Sequence, residues 1–399
     1  MAPTTASTPL PDTAAVRPRL PLAALIVLAL MGFILIAAET MPAGLLPDIA
    51  DGMDVSEGTV GLFISAYALG TVVVTIPAIT LTSSYRRRPL LLIGTLGLIV
   101  ANTVTAVSAD VTLSLVSRFV AGGFSGIIWG MLAMYAIRIS PPERAGVALS
   151  IMSTGAPLGF AFGTPLAAFI GISTDWRWSF VAFSILGLIV AALTLIVVLD
   201  APGQPPTERL PLWKVFRLRG VPVVLGVIAV WMLAHNTIYT YIAPYLRATG
   251  TGITPDLLLF VYGVASLGGV ATTGVLLDRH PRALLHGSVG IFVVAALVLL
   301  IGHTSPAAVV VATAMWGLGF GGAPAQLQAA LTRAGGANSD VANSFLPVAF
   351  NIAIFAAGIL GAALLTTFDP LILPVVMIAL GAAAFVLTVS ARRSAFSGA

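Results

Sequence analysis

The strongest constraint on the fold of this chain is an apolar stretch, long enough to cross a bilayer as a helix, that recurs along the whole sequence. A membrane-spanning helix needs about 20 mostly apolar residues, and lipid offers no hydrogen-bond partner to irregular backbone. Short polar breaks separate twelve such stretches: 21–46, 59–81, 89–109, 111–138, 145–171, 177–199, 221–244, 256–277, 283–303, 306–331, 341–366 and 370–391. The sequence therefore predicts an all-α membrane protein with twelve transmembrane helices.

The composition supports a membrane protein and excludes several other classes. Charged residues make up 9% of the chain, whereas soluble domains carry about 25%, so this is not a soluble enzyme or a disordered scaffold. The net charge of +4 is too dilute over 399 residues to bind nucleic acid. The chain has no cysteine, and its four histidines lack metal-ligand spacing, so we expect no metal and no cofactor.

The basic residues predict how the helices are oriented. When twelve spans alternate across the bilayer, all but three of the 19 Lys and Arg residues fall on one side. Arg177 and Arg247 fall on the other side, and Arg118 lies within a span. Because cytoplasmic loops are enriched in Lys and Arg, we expect both termini in the cytoplasm. Only Lys214 among these residues is a lysine, which favours GC-rich coding and hence a bacterial cytoplasmic membrane.

A basic central break divides the chain into two parts of six spans each. The expected segments are a disordered cytoplasmic tail (1–19), a first six-helix half (20–199), a central cytoplasmic loop (200–220), a second six-helix half (221–391) and a cytoplasmic tail (392–399). Residues 212–217 of the loop fit either a short interfacial helix or a plain basic linker. Six spans followed by six more are typical of a two-fold repeated transporter.

A charged motif follows the eighth span and is echoed after the second. The stretch from Gly274 to Arg282 resembles the G-x-x-x-D-R-x-x-R signature of major facilitator superfamily transporters. In the first half the arginines are kept, but Ser83 and Ile79 stand where the signature has Asp and Gly. The resemblance implies a charged latch at the cytoplasmic side, whereas the arginines alone would only set the topology. The expected gate residues are Arg87, Arg88, Asp278, Arg279 and Arg282.

Further stretches resemble the exporters of the same superfamily. In the fifth span the resemblance is to an antiporter motif of small residues, here Gly146, Gly155, Pro157, Gly159 and Gly163. Such residues let helices approach closely, which ordinary helix packing also requires. The stretches that resemble the arabinose- and chloramphenicol-efflux group of drug:proton antiporters are 39–50, 176–180, 316–328 and 349–351. This resemblance implies export rather than import.

Two ionisable residues, Glu39 and Arg118, lie inside spans, where burying a charge costs a few kcal/mol. Each lies about two helical turns, or roughly 10 Å, below the same membrane face. Arg118 and Gly122 also resemble the R-x-x-x-G motif of the superfamily, whose first and fourth spans line a central cavity. We expect the two charges to pair, with Glu39 carrying a proton and Arg118 setting its affinity. The alternative is a permanent salt bridge that fixes the bundle.

Aromatic and polar residues at mid-depth are candidates for the wall of a substrate cavity. Trp231, His235 and Tyr239 recur at every fourth position, so they share one helix face. Ring planes and hydrogen-bonding groups on one face would suit a flat or amphipathic small molecule. The expected cavity residues are Tyr67, Trp129, Trp231, His235, Asn236, Tyr239, Trp316 and Asn351. The alternative for each of them is a packed core position.

Together these features predict a carrier that alternates between two states by rocking its six-helix halves. The resemblance implies a proton-coupled antiporter that exports a small organic molecule, either a drug-like compound or a sugar. The alternative is a proton-independent, facilitative sugar or metabolite uniporter of the same fold. We do not expect an enzyme. The expected partners are the small-molecule substrate, protons and the lipid bilayer, and we expect a monomer that binds no nucleic acid.

Overall fold

The computed structural model describes residues 20–82, 84–202, 212–218 and 220–390. Twelve helices in this part of the chain are long and apolar enough to cross a membrane, which confirms the all-α, twelve-span prediction. Outside the described residues lie the predicted tails 1–19 and 392–399, residues 203–211 of the central loop, and Ser83.

Nine of the spans, within the described residues, are each built on a single long helix. They are span 1 (Leu22–Gly44), span 2 (Glu57–Leu81), span 3 (Arg87–Val107), span 4 (Val111–Arg138), span 6 (Trp176–Val197), span 8 (Pro255–Leu276), span 9 (Pro281–Ile301), span 11 (Ser339–Thr367) and span 12 (Leu373–Ser390). The short polar breaks of the sequence become the turns between them, so neighbouring spans run antiparallel.

The other three spans are interrupted. Span 5 comprises Ala145–Ser153, Gly155–Leu158, a π-helical turn at Gly159–Gly163, and Thr164–Ser173. Span 7 is Val221–Thr240 continued by Ile242–Thr249, and span 10 is Pro306–Gly321 continued by Ala323–Gly335. Shorter helices are Leu46–Met53, after span 1, and Leu212–Phe216, in the central loop. Interrupted helices and π-turns are common at functional sites of transporters.

Side-chain caps mark where spans 2, 4 and 6 begin. Oxygens of Ser56, Asp110 and Asp175 accept a backbone N–H from the first turns of spans 2, 4 and 6, which satisfies donors that a helix start leaves open. We call this side of the bundle the acidic end. The opposite side, the basic end, carries the arginines at 86–88 and Arg279.

Spans 1–6 and spans 7–12 form two halves that meet along two seams, span 2 against span 11 and span 5 against span 8. The second seam is tight, because a Cβ built on Gly263 of span 8 would lie 2.2 Å from the Cα of Ala161 in span 5. One hydrophobic core lies within the first half, and a larger one runs from span 1 into the second half. Large apolar side chains such as Ile196 and Ile301 are exposed on the outside, where lipid tails would cover them.

Candidate functional site

Arg118 of span 4 lies directly against the backbone of span 1 at Glu39. Arg118 is completely buried and Glu39 is 7% exposed. The Nη2 of Arg118 donates to the carbonyl oxygens of Ala38 at 2.6 Å and of Glu39 at 3.3 Å. Its Nη1 donates to Oδ1 of Asn102, in span 3, at 3.3 Å. Spans 1, 3 and 4 are thus joined through one guanidinium.

Pro42 explains why a carbonyl inside the last third of span 1 is open to Arg118. In an α-helix the N–H of residue 42 would donate to the carbonyl of residue 38, but proline has no N–H. Pro42 lies inside the helix Leu22–Gly44, so the Ala38 carbonyl has no partner of its own four residues later. Arg118 supplies the missing donor, and a charged donor makes this a strong hydrogen bond.

Two aromatic rings complete the surroundings of Arg118. Its Cζ lies 4.7 Å from the ring centroid of Tyr67, in span 2, and 5.7 Å from that of Phe180, in span 6. The negative face of a ring stabilises a cation at such a distance by about 0.5–2 kcal/mol. The Nε of Arg118 has no hydrogen-bond partner among the described residues. The cation is therefore held by neutral groups: carbonyls, an amide and two rings.

The carboxyl group of Glu39 forms no salt bridge within the described part of the chain. The hydrogen bond of Arg118 to residue 39 goes to its backbone oxygen and not to its side chain. The ion pair that we expected with Arg118 is therefore not formed, because the guanidinium is bound to the backbone of span 1. The alternative of a permanent salt bridge is absent for the same reason. An isolated carboxylate is expensive to bury, whereas a neutral carboxyl group is not.

In the second half, His235 of span 7 lies within an aromatic cluster. Its Nδ1 accepts a hydrogen bond from Nε1 of Trp316, in span 10, at 3.0 Å, so the proton of the neutral imidazole is on Nε2. The ring stacks on Phe320 with centroids 3.6 Å apart, and the rings of Tyr239 and Tyr262 lie 5.2 and 5.7 Å away. All five side chains are buried. We call these five residues the His235 cluster, which is closely packed in this state.

The other predicted cavity residues do not all join this cluster. Trp231 is buried one turn away and packs edge-on against Phe320 at 5.5 Å, whereas Tyr67 belongs to the surroundings of Arg118. Asn236 and Asn351 each donate to the carbonyl four residues earlier on their own helix. Trp129 is partly exposed beside Gly32 of span 1. The structure thus divides the predicted set between the two halves.

Four residues of these two clusters lie outside the predicted set: Asn102, Phe180, Tyr262 and Phe320. Asn102 carries a signal in the sequence, because an amide in the middle of an apolar span needs a polar partner. The three aromatic residues carry none, because a Phe or Tyr in a span equally fits a lipid-facing or a core position. These three rings reach their clusters only because separate spans pack together, which the sequence of one span does not show.

At the basic end of the first half, Asp200 supplies the acid that the charged motif lacks. Its carboxylate forms a salt bridge with Arg86 and accepts the backbone N–H of Arg88 at 3.1 Å. Burial opposes ionisation, but these hydrogen bonds outweigh it and hold the pKa of Asp200 below its ordinary value. The backbone N–H of Arg87 donates to the carbonyl of Ala201 at 2.9 Å. The motif therefore ties the start of span 3 to the end of span 6.

The second-half motif is not latched in this structure. Asp278 and Arg279 are exposed in the turn after span 8, and Arg282 is partly buried in the first turn of span 9. None of the three forms a salt bridge with another described residue. The two halves therefore differ in how their charged motifs are engaged.

Three glycines of the span-five motif face span 1. A Cβ built on Gly155 would lie 1.9 Å from a carbonyl oxygen of span 1, and those on Gly159 and Gly163 would also lie under 3.0 Å from it. Gly146 has open space instead, and Pro157 is partly exposed. Span 5 thus packs closely against the helix that carries Glu39.

The two halves are joined near the acidic end. Glu57, at the start of span 2, forms a salt bridge of 2.6 Å with Arg247, in the second part of span 7. Deeper in the seam, the hydroxyl of Ser65 donates to the carbonyl of Phe355, in span 11, at 2.9 Å. Both contacts cross from the first half to the second. They join span 2 to spans 7 and 11 on this side.

Comparisons with known proteins agree with this architecture. A family model described as the Major Facilitator Superfamily matches residues 28–341. The fold is similar to that of the xylose transporter XylE from E. coli in a partially occluded inward open conformation, with a TM-score of 0.71. That similarity covers 93% of this chain and 99% of the other chain at 14% sequence identity, so it concerns the fold alone.

Proposed function

The chain belongs to the major facilitator superfamily of transporters, and we propose that it exports a small organic molecule in exchange for protons. It is a multi-pass membrane protein that transports small molecules, and it is not an enzyme. The proposal places it in a bacterial cytoplasmic membrane, with the basic end and both termini in the cytoplasm, as the distribution of Lys and Arg favours. The acidic end then faces outward.

The unpaired carboxyl of Glu39 is the observation that supports proton coupling. A neutral, protonated carboxyl can stay buried in span 1, whereas a carboxylate needs water or the nearby guanidinium of Arg118. Gain or loss of a proton at Glu39 therefore changes which arrangement of span 1 is favoured. A ligand can drive a conformational change only through such a difference in free energy between states.

In the proposed cycle, one proton site is exposed first to one side of the membrane and then to the other. When the acidic end is open, a proton from outside binds Glu39. Closing of the seam between spans 2 and 11 and opening of the basic end then release the proton to the cytoplasm. Substrate moves in the opposite direction by the same rocking of the two halves. The state described here has the acidic-end seam closed.

The substrate class that we propose is a drug-like compound or a sugar, which the protein would export. The glycines of span 5 that pack on span 1 form a pattern that resembles the export branches of the superfamily. The His235 cluster combines ring faces with an imidazole and phenol groups, which suit a flat or amphipathic molecule. Because this cluster is packed here, we expect it to contact substrate only after the halves move. One chain holds both halves, so a monomer suffices.

Reconstitution into liposomes tests the proposal, with chloramphenicol, L-arabinose and ethidium as separate probes. In the wild type, a gradient of a transported probe should move protons, which a pH-sensitive dye reports. Glu39→Gln should still exchange labelled probe across the membrane but move no protons. Asp48→Asn, which changes a carboxyl outside the spans, is the matched control and should stay coupled. Normal proton movement in Glu39→Gln would rule out Glu39 as the proton carrier.

A facilitative sugar or metabolite uniporter is the second candidate, because the fold is similar to that of a xylose transporter and a sugar is one of the proposed substrates. The same liposomes distinguish it. A uniporter would equilibrate a probe without accumulating it when a pH gradient is imposed, and Glu39→Gln would then leave the rate unchanged. A proton-coupled carrier would accumulate the probe against its gradient.

A further inference from the structure

Arg118 and Glu39 are neighbours without being ion-pair partners, and span 1 shows why. The closest contact of the guanidinium is the Ala38 carbonyl, at 2.6 Å from Nη2. That carbonyl is available because residue 42 is a proline inside the helix. The position of the cation therefore depends on the side-chain type at residue 42.

We propose that Pro42 is a positioning residue of the proton site. By leaving the Ala38 carbonyl open, Pro42 holds Arg118 on the backbone of span 1 and out of an ion pair with the carboxyl of Glu39. The carboxyl then stays free to gain and lose a proton. This inference rests on the proposed role of Glu39 as the proton carrier and adds a second residue of span 1 to that role.

An alanine at position 42 would change which groups Arg118 contacts. Its N–H would donate to the Ala38 carbonyl and compete with Arg118 for that oxygen, which would weaken the shortest hydrogen bond of the guanidinium. A buried cation with too few acceptors is costly, and the backbone oxygen of Glu39 is already 3.3 Å from Nη2. The guanidinium would then turn to the Glu39 carboxylate and form a buried salt bridge, which is difficult to separate once formed.

No other acid competes for Arg118 within the described residues. The groups that face it from spans 2, 3 and 6 are the ring of Tyr67, the amide of Asn102 and the ring of Phe180. The Tyr67 hydroxyl donates to the Leu35 carbonyl at 3.4 Å, so it does not supply a negative charge. Glu39 is therefore the acid to which a displaced Arg118 would turn.

Labelling with dicyclohexylcarbodiimide tests the inference without a known substrate, because this reagent modifies protonated carboxyl groups in apolar surroundings. The full chain would be labelled in membranes at neutral pH, and modification at Glu39 measured by mass spectrometry, with Glu39→Gln as the blank. The variants are Pro42→Ala, Arg118→Met and the double variant. Pro77→Ala is the matched control, because Pro77 also lies inside a helix and is about 15 Å along span 2 from Tyr67.

We expect Pro42→Ala to reduce labelling of Glu39 roughly tenfold, since one close opposite charge alters protonation by about this factor or more. The double variant should restore the labelling, because no cation remains to pair with Glu39, and Pro77→Ala should label like the wild type. Pro42→Gly also supplies an N–H and should repeat the result if the alanine variant folds poorly.

Three results would overturn the inference: no labelling of Glu39 in the wild type, equal labelling of the wild type and Pro42→Ala, or a loss that Arg118→Met does not restore. Failure of the proposed function would look different. The wild type would then show the expected labelling pattern but move no protons with any probe in liposomes.

Discussion

The hydroxyl of Tyr241 occupies the space in which a side chain on Gly61 would begin: a Cβ built on Gly61 would lie 2.0 Å from that oxygen. Tyr241 stands at the bend of span 7 and Gly61 lies near the start of span 2, so this contact joins the two halves. The hydroxyl also donates to the carbonyl of Gly358, in span 11, at 2.7 Å, and Gly361 leaves room for the ring. We call Gly61, Gly358 and Gly361 the glycine socket.

Gly61→Ala should open the acidic end by displacing Tyr241 from the glycine socket. Overpacking a contact costs about 1–3 kcal/mol, so the ratio of closed to open states should fall at least about fivefold. The chain has no cysteine, so a cysteine introduced at the buried Thr240 can report opening through its rate of labelling by an impermeant maleimide on whole cells. Gly290→Ala, at an open position of span 9, should leave that rate unchanged. Equal rates in both variants would contradict a sealing role for Tyr241.

A disulfide between residues 58 and 362 should lock the acidic end closed. A Cβ on Gly58, in span 2, would lie 3.3 Å from the Cβ of Ala362, in span 11, close to the separation of about 3.5–4.5 Å found in disulfides. Oxidised Gly58→Cys/Ala362→Cys should lose transport of any probe that the wild type carries, because the halves could no longer separate here. Reductant should restore it, and neither single variant should respond to oxidation. Transport that continues in the cross-linked protein would show that this seam need not open.

The fold follows from the sequence because apolar length and polar breaks are local properties. Each span of about 20 apolar residues is readable by itself, and acids such as Asp110 and Asp175 mark helix starts through their capping side chains. The depths of Glu39 and Arg118 could likewise be counted along single helices. These inferences needed no knowledge of which spans are neighbours.

The detailed contacts of the site could not be predicted, because they depend on packing between spans. Arg118 was expected on the carboxyl of Glu39, but it contacts the Ala38 carbonyl that Pro42 leaves open. Proline in a span has a known effect on its own helix, yet the sequence does not show which donor fills the gap. The contact of Asp200 with Arg86 could not be predicted for the same reason. It joins residues that are 114 positions apart in the sequence.

Gly155→Ala should destabilise the first half, because its methyl group would meet a carbonyl oxygen of span 1 at 1.9 Å. Backbone cannot move aside as a flexible side chain can, so we expect a loss of about 1–3 kcal/mol. Gly146→Ala is the matched control from the same motif. It has open space and should gain up to about 1 kcal/mol from the better helix propensity of alanine. Thermal unfolding in detergent compares them, and a neutral Gly155→Ala would show that spans 1 and 5 can separate without cost.

Trp316→Phe should cost more stability than Trp231→Phe, although both remove an indole from a buried position. Trp316 donates to Nδ1 of His235 at 3.0 Å, so its replacement leaves a buried acceptor unsatisfied, at a cost of about 1–3 kcal/mol. The indole N–H of Trp231 has no partner among the described residues, so no hydrogen bond is lost there. The two melting temperatures in the same detergent give the comparison. Equal losses would mean that ring packing alone, and not the hydrogen bond, holds the His235 cluster.

Asp200→Asn should weaken the tie between spans 3 and 6 in a pH-dependent way. Despite burial, hydrogen bonds from Arg88 and Arg86 hold the pKa of Asp200 below its ordinary value of 3.8. A carboxyl with a lowered pKa stabilises the folded state above that ordinary value, and the stabilisation is lost as the pH falls through the lowered pKa. The Arg86 side chain is 74% exposed, so solvent screening limits the effect to about 1 kcal/mol or less.

We therefore expect Asp200→Asn to unfold at a slightly lower temperature than the wild type at neutral pH, and the two melting curves to converge well below pH 3.8. Asp278→Asn is the matched control, because Asp278 is exposed at the same end of the bundle and forms no salt bridge with a described residue. Its melting curve should follow that of the wild type at every pH. If the Asp200→Asn difference persisted in acid, it would have to come from lost packing, because protonation of Asp200 removes the charge that binds Arg86.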